Sequence, residues 1–191
     1  MVALKSIKPP LDAIVGSTVT GVRRIGKMPI VGFSAQGESG ELAMLIHMMS
    51  AGRLQIFNER ASLRDRRSRV LIRFDDGREL RLREFGTKQR AWAKLMAAGE
   101  VGTDEMVATL GPEAWPAPPV EELAAAVDQS RHLHGILRDQ RSIAGIGRSW
   151  VDEILWEAKL SPFRKGSDLD EEEVARLHAS LAVLDLSLIH I

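Results

Sequence analysis

The sequence contains no cysteine, and this absence excludes disulfide bonds and Cys-ligated zinc within its 191 residues. It has no apolar run of signal-peptide length and none near the roughly 18 apolar residues of a membrane-spanning helix. Neither charge is in excess, since 26 Lys and Arg balance 26 Asp and Glu. Total charge therefore neither favours nor disfavours a polyanionic partner. We expect a cytoplasmic protein with no cofactor, no bound metal and no membrane partner.

The first part of the sequence has the pattern of β-strands. Short stretches that are apolar or rich in Val and Thr occur at residues 17–24, 28–33 and 41–47. A hairpin pattern follows, in which apolar and charged residues alternate on both sides of the turn sequence at residues 75–77. One strand face is apolar and the other is mostly charged. This pattern predicts an antiparallel sheet with one face solvated or bound to a partner.

Arginines are concentrated between these predicted strands, at Arg60, Arg64, Arg66, Arg67 and Arg69. A solvated loop is one interpretation of the cluster. The other is a patch that follows phosphate groups, because guanidinium forks match phosphate oxygens and counterion release drives such binding. The sequence alone leaves both interpretations open.

A proline-rich segment, GPEAWPAPP, separates the strand pattern from a helical one. It predicts a β-domain at residues 1–112, a linker at residues 113–119 and a helical domain at residues 120–185. The last predicted helix starts with a capping box formed by Asp170 and Glu173. The expected fold class is therefore α+β, with a partial N-terminal antiparallel β-sandwich followed by an all-α domain.

A pair of glycines, Gly145 and Gly147, precedes an amphipathic helical pattern. The free N–H groups in the first turn of a helix, together with the positive end of its dipole, can bind an anion such as phosphate. A tight turn without any ligand fits the same spacing. Spacing alone does not decide between them.

The last residues, LSLIHI at 186–191, do not have the pattern of a helix end. They include no C-cap glycine and they close on apolar residues. They are similar to the translated sequence of a transposase-type sequencing adapter. We therefore expect a non-native tail, joined where a DNA fragment ended.

Three blocks resemble the formamidopyrimidine-DNA glycosylase / endonuclease VIII family of base-excision repair enzymes. They are PPLDAIVGSTVTGVRRIGK, which ends at Lys27; LIHMMSAGRL, at residues 45–54; and DQRSIAGIGRSWVDEILWEAKLSPFRKGSDLDEEEVARLH, at residues 139–178. The last block resembles the family's helix-two-turn-helix domain, and LGPEAW, at residues 110–115, is similar to its interdomain segment. The resemblance implies damaged double-stranded DNA as the partner of a nucleoid-associated monomer. It also implies base excision and abasic-site lyase activity in the full-length parent.

The same resemblance implies DNA contacts for particular residues. Phosphate contacts are implied for Lys27, Gly145, Gly147 and Arg148. Positions near the extruded nucleotide are implied for His47, Met49 and Ser50, and a DNA contact is implied for Arg83.

Several of these positions depart from the family pattern. Arg148 stands where the family usually has Asn, so the specific hydrogen bonds of an amide are lost although a phosphate can still be reached. Met49 and Ser50 lie around the position of a Met wedge that fills the space left by the everted base. Glu84 stands directly before Phe85, where the family has paired arginines. Filling of that space and recognition of the opposite base are therefore in question.

The residues that perform catalysis in the family have no counterpart here. The family nucleophile is an N-terminal proline followed by a glutamate, whereas this sequence begins with Met1 and Val2. The C-terminal zinc finger of the family is also missing. We therefore expect a chain truncated at both ends, with no catalytic residue and no activity of its own. The alternative is a non-catalytic helix-two-turn-helix nucleic-acid-binding module.

Overall fold

The computed structural model describes residues 3–5, 8–34, 40–62 and 64–184. The predicted non-native tail, residues 186–191, lies outside the described residues. The chain forms two compact units. The first unit comprises the residues up to Arg24 together with Met28–Thr103, and the second comprises Ile25–Lys27 together with the residues from Asp104 onward.

The first unit contains seven strands within its described residues, arranged in two antiparallel sheets. The sheets have the strand orders β1-β2-β3-β7 and β4-β6-β5. The strands are β1 (Val19–Ile25), β2 (Met28–Phe33), β3 (Leu42–His47), β4 (Gly52–Phe57), β5 (Ser68–Arg73), β6 (Glu79–Glu84) and β7 (Trp92–Ala97).

Apolar side chains from both sheets meet in one core, which makes the unit a β-sandwich. The first sheet contributes Val31, Phe33, Met44, Ile46 and Leu95, and the second contributes Leu54, Val70, Ile72, Leu80 and Leu82. The predicted hairpin is confirmed as β5 and β6, joined by a turn in which Gly77 has a φ of 87°.

The charged face of β6 differs from the solvated face expected from its alternation. Glu79 and Arg81 are only 0% and 5% exposed. The chain that follows β4 folds back over them, because the Ala61 N–H donates to Glu79 at 2.7 Å and Arg81 donates to the carbonyl oxygen of Glu59. A strand pattern gives no sign of such a cover, since the covering residues belong to a loop.

The second unit is helical. Its helices are α1 (Glu105–Ala108), α2 (Val120–Val127), α3 (Leu133–Arg138), α4 (Arg148–Glu157) and α5 (Glu171–Ser180). They enclose a core whose fully buried members include Leu123, Leu133, Ile136, Ile143, Ile146, Val151, Ile154 and Leu177. The predicted capping box of Asp170 and Glu173 is present at the start of α5. None of the helices in the described ranges is long and apolar enough to cross a bilayer. The α+β fold class is confirmed.

The second unit begins earlier in the chain than the boundary predicted after residue 112. Asp104 already caps α1, because its carboxylate accepts the Met106 N–H at 3.0 Å. The start of the predicted linker is paired backbone. The Ala114 N–H donates to the Ala144 oxygen at 2.9 Å, and the Ala144 N–H donates to the Pro112 oxygen at 2.8 Å. Residues 112–114 are therefore held against the segment that leads into α4.

Candidate nucleic-acid interface

Lys27 follows a tight turn that is fixed to the helical unit. Gly26 has a φ of 55°, and a Cβ added there would lie 3.2 Å from Leu110 Cδ1. The Gly26 N–H donates to the carboxylate of Glu113. A glycine is needed at this position, since an L side chain would be strained by the backbone and crowded by Leu110. The backbone next to Lys27 is thereby held by residues far away in the sequence.

The turn at residues 145–147, called here the α4 turn, is fixed by one side chain. Gln140 Oε1 accepts the Gly145 N–H at 3.1 Å, while Gln140 Nε2 donates to the Ile146 oxygen at 3.2 Å. Gly145 has a φ of 97°, a conformation that L side chains rarely adopt. Gly147 is the N-cap of α4 and has no side chain that could accept a hydrogen bond from the N–H groups of the first helical turn. The amide of Gln140 thus sets the path by which the chain enters α4.

The N-terminus of α4 is open to an anion. The Trp150 N–H donates to the Gly147 oxygen, but the N–H groups of Arg148 and Ser149 have no acceptor among the described residues. The first turn of α4 also contains no acidic residue. These N–H groups and the helix dipole therefore present an uncompensated positive end.

Lys27 lies in a positive field. Partial desolvation, followed by the nearby charge of Arg138, lowers the pKa of Lys27 below its ordinary value. No carboxylate among the described residues pairs with Lys27 or Arg138. The turn before Lys27 adjoins the segment that enters the α4 turn, since a Cβ on Gly26 would lie 3.6 Å from Ala144 Cβ. A bound anion would relieve the repulsion between the two cations.

In the first unit, His47 ends β3 and is fixed in orientation. Its ring stacks on Trp92, with a centroid distance of 5.5 Å and an interplanar angle of 18°. Its Nδ1 accepts the Met49 N–H at 3.1 Å. The stacking and this hydrogen bond together fix the orientation of the imidazole ring.

Residues 48–52, called here the Met49 turn, hold an apolar side chain in a strained backbone. Met49 has a φ of 53° and is 43% exposed. The Gly52 N–H donates to the Met48 oxygen at 2.8 Å, and a Cβ on Gly52 would lie only 2.2 Å from that oxygen. The turn therefore requires glycine at residue 52. A non-glycine residue in the left-handed region is costly and is found most often at functional sites.

The Met49 turn lies beside the end of β6. The Phe85 N–H donates to the Ala51 oxygen at 3.2 Å. The guanidinium carbon of Arg83 is 5.1 Å from the centroid of the Phe85 ring. Glu84 points the other way, as alternation along a strand requires: it is 2% exposed and accepts the Ala91 N–H at 3.0 Å. Glu84 therefore anchors the chain after β6, and it does not replace the family's second arginine as a surface group.

The predicted site residues fall into two groups. Lys27, Gly145, Gly147 and Arg148 belong to the second unit, and His47, Met49, Ser50 and Arg83 belong to the first. Their roles stay predictions. Sequence reasoning missed Gln140, Glu113 and Arg138, because nothing in their local pattern indicates a distant partner. Within the described ranges, no group of three or more His, Asp or Glu side chains could hold a metal ion.

Comparison with known families identifies both units. The model of the formamidopyrimidine-DNA glycosylase N-terminal domain matches residues 4–88, and the model of the H2TH domain of the same enzyme matches residues 110–188. The chain belongs to the formamidopyrimidine-DNA glycosylase family. The family is one of DNA glycosylases, and the suspected resemblance is confirmed.

Individual relatives agree with this assignment. A formamidopyrimidine-DNA glycosylase from Moorella thermoacetica is 34% identical over 171 residues, which cover 88% of this chain and 59% of the relative. Another from Latilactobacillus sakei is 29% identical, over 93% of this chain and 62% of the relative. The chain thus spans about three fifths of the length of these curated relatives.

Solved structures share the fold. The Lactococcus lactis Fpg in complex with DNA containing an abasic site has a TM-score of 0.76 and 21% identity, and the match covers 92% of this chain and 62% of that one. The same enzyme in complex with DNA containing FAPY-dG has a TM-score of 0.76 and 20% identity, over 91% and 63%. At this identity the likeness supports the fold alone.

Proposed function

We propose that the chain binds damaged double-stranded DNA as the larger part of a base-excision repair glycosylase. The observation that carries this proposal is that Lys27 and the open N-terminus of α4 belong to the same unit. Gly26 ties Lys27 to Glu113, and Gln140 fixes the α4 turn. Both are arranged by the same paired backbone at residues 112–114 and 144.

The proposed ligand of this group is the phosphate backbone next to the lesion. Lys27, Arg138 and the free N–H groups of Arg148 and Ser149 are donors or positive charges without a compensating acid. A phosphate would accept hydrogen bonds from the N–H groups and neutralise Lys27. Arg148 would add a charged contact in place of the amide usual in the family. Such contacts set affinity and position, and they carry no base sequence information.

The first unit would handle the extruded nucleotide. Met49 is an exposed apolar group at the tip of a strained turn, which suits insertion into a base stack. His47 contributes an imidazole whose orientation is fixed, Ser50 a hydroxyl, and Arg83 a guanidinium that is braced on Phe85. Together these side chains would fill the space left by the extruded base without the second arginine of the family.

Base excision with abasic-site lyase activity would belong to the full-length parent. For residues 1–191 themselves we propose binding as a monomer at the nucleoid, without a cofactor and without excision of the base. Borohydride trapping on an abasic-site duplex tests this: no adduct is expected, and a covalent adduct at the N-terminus would overturn it.

The binding proposal is tested by fluorescence anisotropy with a duplex that contains a tetrahydrofuran abasic analogue. Lys27→Gln should weaken binding and reduce the slope of log K against log salt by about 0.9, the value for one lost phosphate contact. Lys165→Gln, an exposed lysine outside the proposed site, is the matched control and should leave the slope unchanged. Equal slopes for the two variants would refute the assignment of Lys27.

A further inference from the structure

Positive charge is concentrated in one part of the first unit. Residues 53–90 contain twelve Lys and Arg but six Asp and Glu, although the chain as a whole is balanced. This stretch includes the strands β4, β5 and β6 and the loop at residues 58–67, called here the arginine loop. Its residue 63 lies outside the described residues. The phosphate contacts proposed above, in the second unit, do not use these arginines.

Two acids of this stretch are paired with arginines outside the arginine loop. Glu79 pairs with Arg73 and Arg81, each at 2.8 Å. Asp76 pairs with Arg78 at 2.6 Å. These carboxylates therefore compensate strand and turn arginines. Within the arginine loop itself, four arginines stand against Glu59 and Asp65, which leaves the loop with a net charge of +2.

Arg60, Arg64 and Arg66 are the uncompensated members of the arginine loop. All three side chains are exposed. None forms an ion pair with an acid among the described residues. Arg67 is placed differently, since its guanidinium carbon lies 5.2 Å from the Phe85 ring centroid.

The arginine loop is held in place before any partner arrives. At one end, Glu79 accepts the Ala61 N–H at 2.7 Å. At the other end, Asp65 Oδ1 accepts the Arg67 N–H at 3.0 Å, and its Oδ2 accepts the Ser68 hydroxyl at 2.7 Å. Burial alone would raise the pKa of Glu79, but its hydrogen bonds hold the pKa below the ordinary value. Because these hydrogen bonds already tether the loop at Ala61 and at residues 65–68, less conformational entropy is lost on binding.

The adjoining strand face repeats the same imbalance. Arg53 and Arg83 are direct cross-strand partners in β4 and β6, and like charges in that position destabilise a sheet. Phe85 is 49% exposed, and the guanidinium carbons of Arg67 and Arg83 lie 5.2 Å and 5.1 Å from its ring centroid. Arg83 is paired with Asp65 at 4.0 Å, whereas Arg60, Arg64 and Arg66 keep guanidinium forks that match phosphate oxygens better than a flexible acidic peptide.

We propose that the arginine loop forms a second binding surface for the phosphate backbone of DNA. It reads neither the lesion nor the base sequence. Its cations would release counterions from the duplex and add affinity to the contacts made by the second unit. The surface rests on charge complementarity, so it holds whether or not Lys27 contacts a phosphate.

A triple variant, Arg60→Gln, Arg64→Gln and Arg66→Gln, tests the proposal on an undamaged duplex. Affinity at about 50 mM salt should fall roughly tenfold, and the slope of log K against log salt should fall by about 2 to 3. The matched control removes three exposed cations outside both surfaces, through Lys8→Gln, Arg78→Gln and Lys165→Gln. A loop triple whose slope equals that of the control would overturn the proposal. A loss of affinity for poly-glutamate without a loss for duplex would overturn it in favour of an acidic protein partner.

The absence of cysteine allows a direct second test. Arg64→Cys introduces a single thiol that can carry a photo-crosslinker, and irradiation should join it to a bound duplex. Arg78→Cys, in the hairpin turn, is the matched control and should give little product. An absence of crosslinking from residue 64 at saturating protein would contradict the proposal. A positive result from residue 64 combined with an unaffected Lys27→Gln variant would refute only the proposed function of the second unit.

Discussion

The α4 turn and the Met49 turn use the same backbone conformation for opposite purposes. Each contains a residue in the left-handed region and each is fixed by one side chain, Gln140 in the first case and His47 in the second. The α4 turn places a glycine there, so it costs little and exposes N–H groups. The Met49 turn places a methionine there, so it is strained and exposes an apolar side chain. The first arrangement suits reception of a phosphate, and the second suits insertion into a base stack.

The largest expected effect is on the geometry of the Met49 turn. Gly52→Ala would place a Cβ 2.2 Å from the Met48 oxygen, so the backbone must shift, and we expect a loss of about 3 kcal/mol in the free energy of unfolding. Chemical denaturation measures it. The control is Gly135→Ala in α3, where a Cβ meets nothing within 4 Å and where alanine should stabilise the helix by up to about 1 kcal/mol. An unchanged free energy of unfolding in Gly52→Ala would show that the turn is not as tight as described.

The α4 turn should respond less strongly to the same change. Gly145→Ala forces an L side chain into a φ of 97°, which should cost about 1–2 kcal/mol. It should also weaken binding to abasic-analogue DNA, because Gly145 sets the path into α4. Denaturation and anisotropy on the same variant check both effects. Normal affinity in a destabilised Gly145→Ala protein would separate the turn from DNA binding.

Relief of strain should separate stability from binding. Met49→Gly and Lys159→Gly both remove a side chain from a left-handed backbone, at φ values of 53° and 55°, and each should stabilise the protein by about 0.5–1 kcal/mol. Affinity for the abasic-analogue duplex should fall only for Met49→Gly. If both variants bind equally well, Met49 is a packing residue and the proposed insertion is wrong.

The sequence predicted local features of both units well. Alternation of apolar and charged residues predicted the β5 and β6 hairpin, the capping box predicted the start of α5, and the glycine pair predicted the entry to α4. These features depend on neighbours within a few residues, so their pattern is visible in a single sequence.

Features that depend on distant residues could not be predicted in the same way. Ile25–Lys27 joins the helical unit because Gly26 contacts Leu110 and Glu113. Burial of Arg81 depends on a loop that folds back onto its own sheet. The resemblance to the glycosylase family indicated Lys27 as a phosphate contact, but it gave no reason for the geometry that surrounds it.

A smaller effect is expected from the protonation of Lys27. Its pKa is lowered by partial desolvation and by Arg138. The protonated form therefore lowers the free energy of unfolding at pH values below that pKa, and this destabilisation disappears as pH rises through it. A bound phosphate would raise the pKa again. Affinity for DNA should therefore fall as pH rises through the lowered pKa, with uptake of a proton on binding. Lys27→Arg keeps its charge and should remove this pH dependence, whereas an unchanged profile would exclude Lys27 as its source.

Methylphosphonate interference tests the assignment of Lys27 and α4 as a phosphate site most directly. Single phosphates around a tetrahydrofuran abasic analogue are replaced one at a time by neutral methylphosphonates, and affinity is measured for the wild-type chain and for Lys27→Gln. We expect a strong loss of wild-type affinity at one or two positions beside the lesion, and no further loss at one of them in the variant. An identical interference pattern for both proteins would contradict the phosphate site.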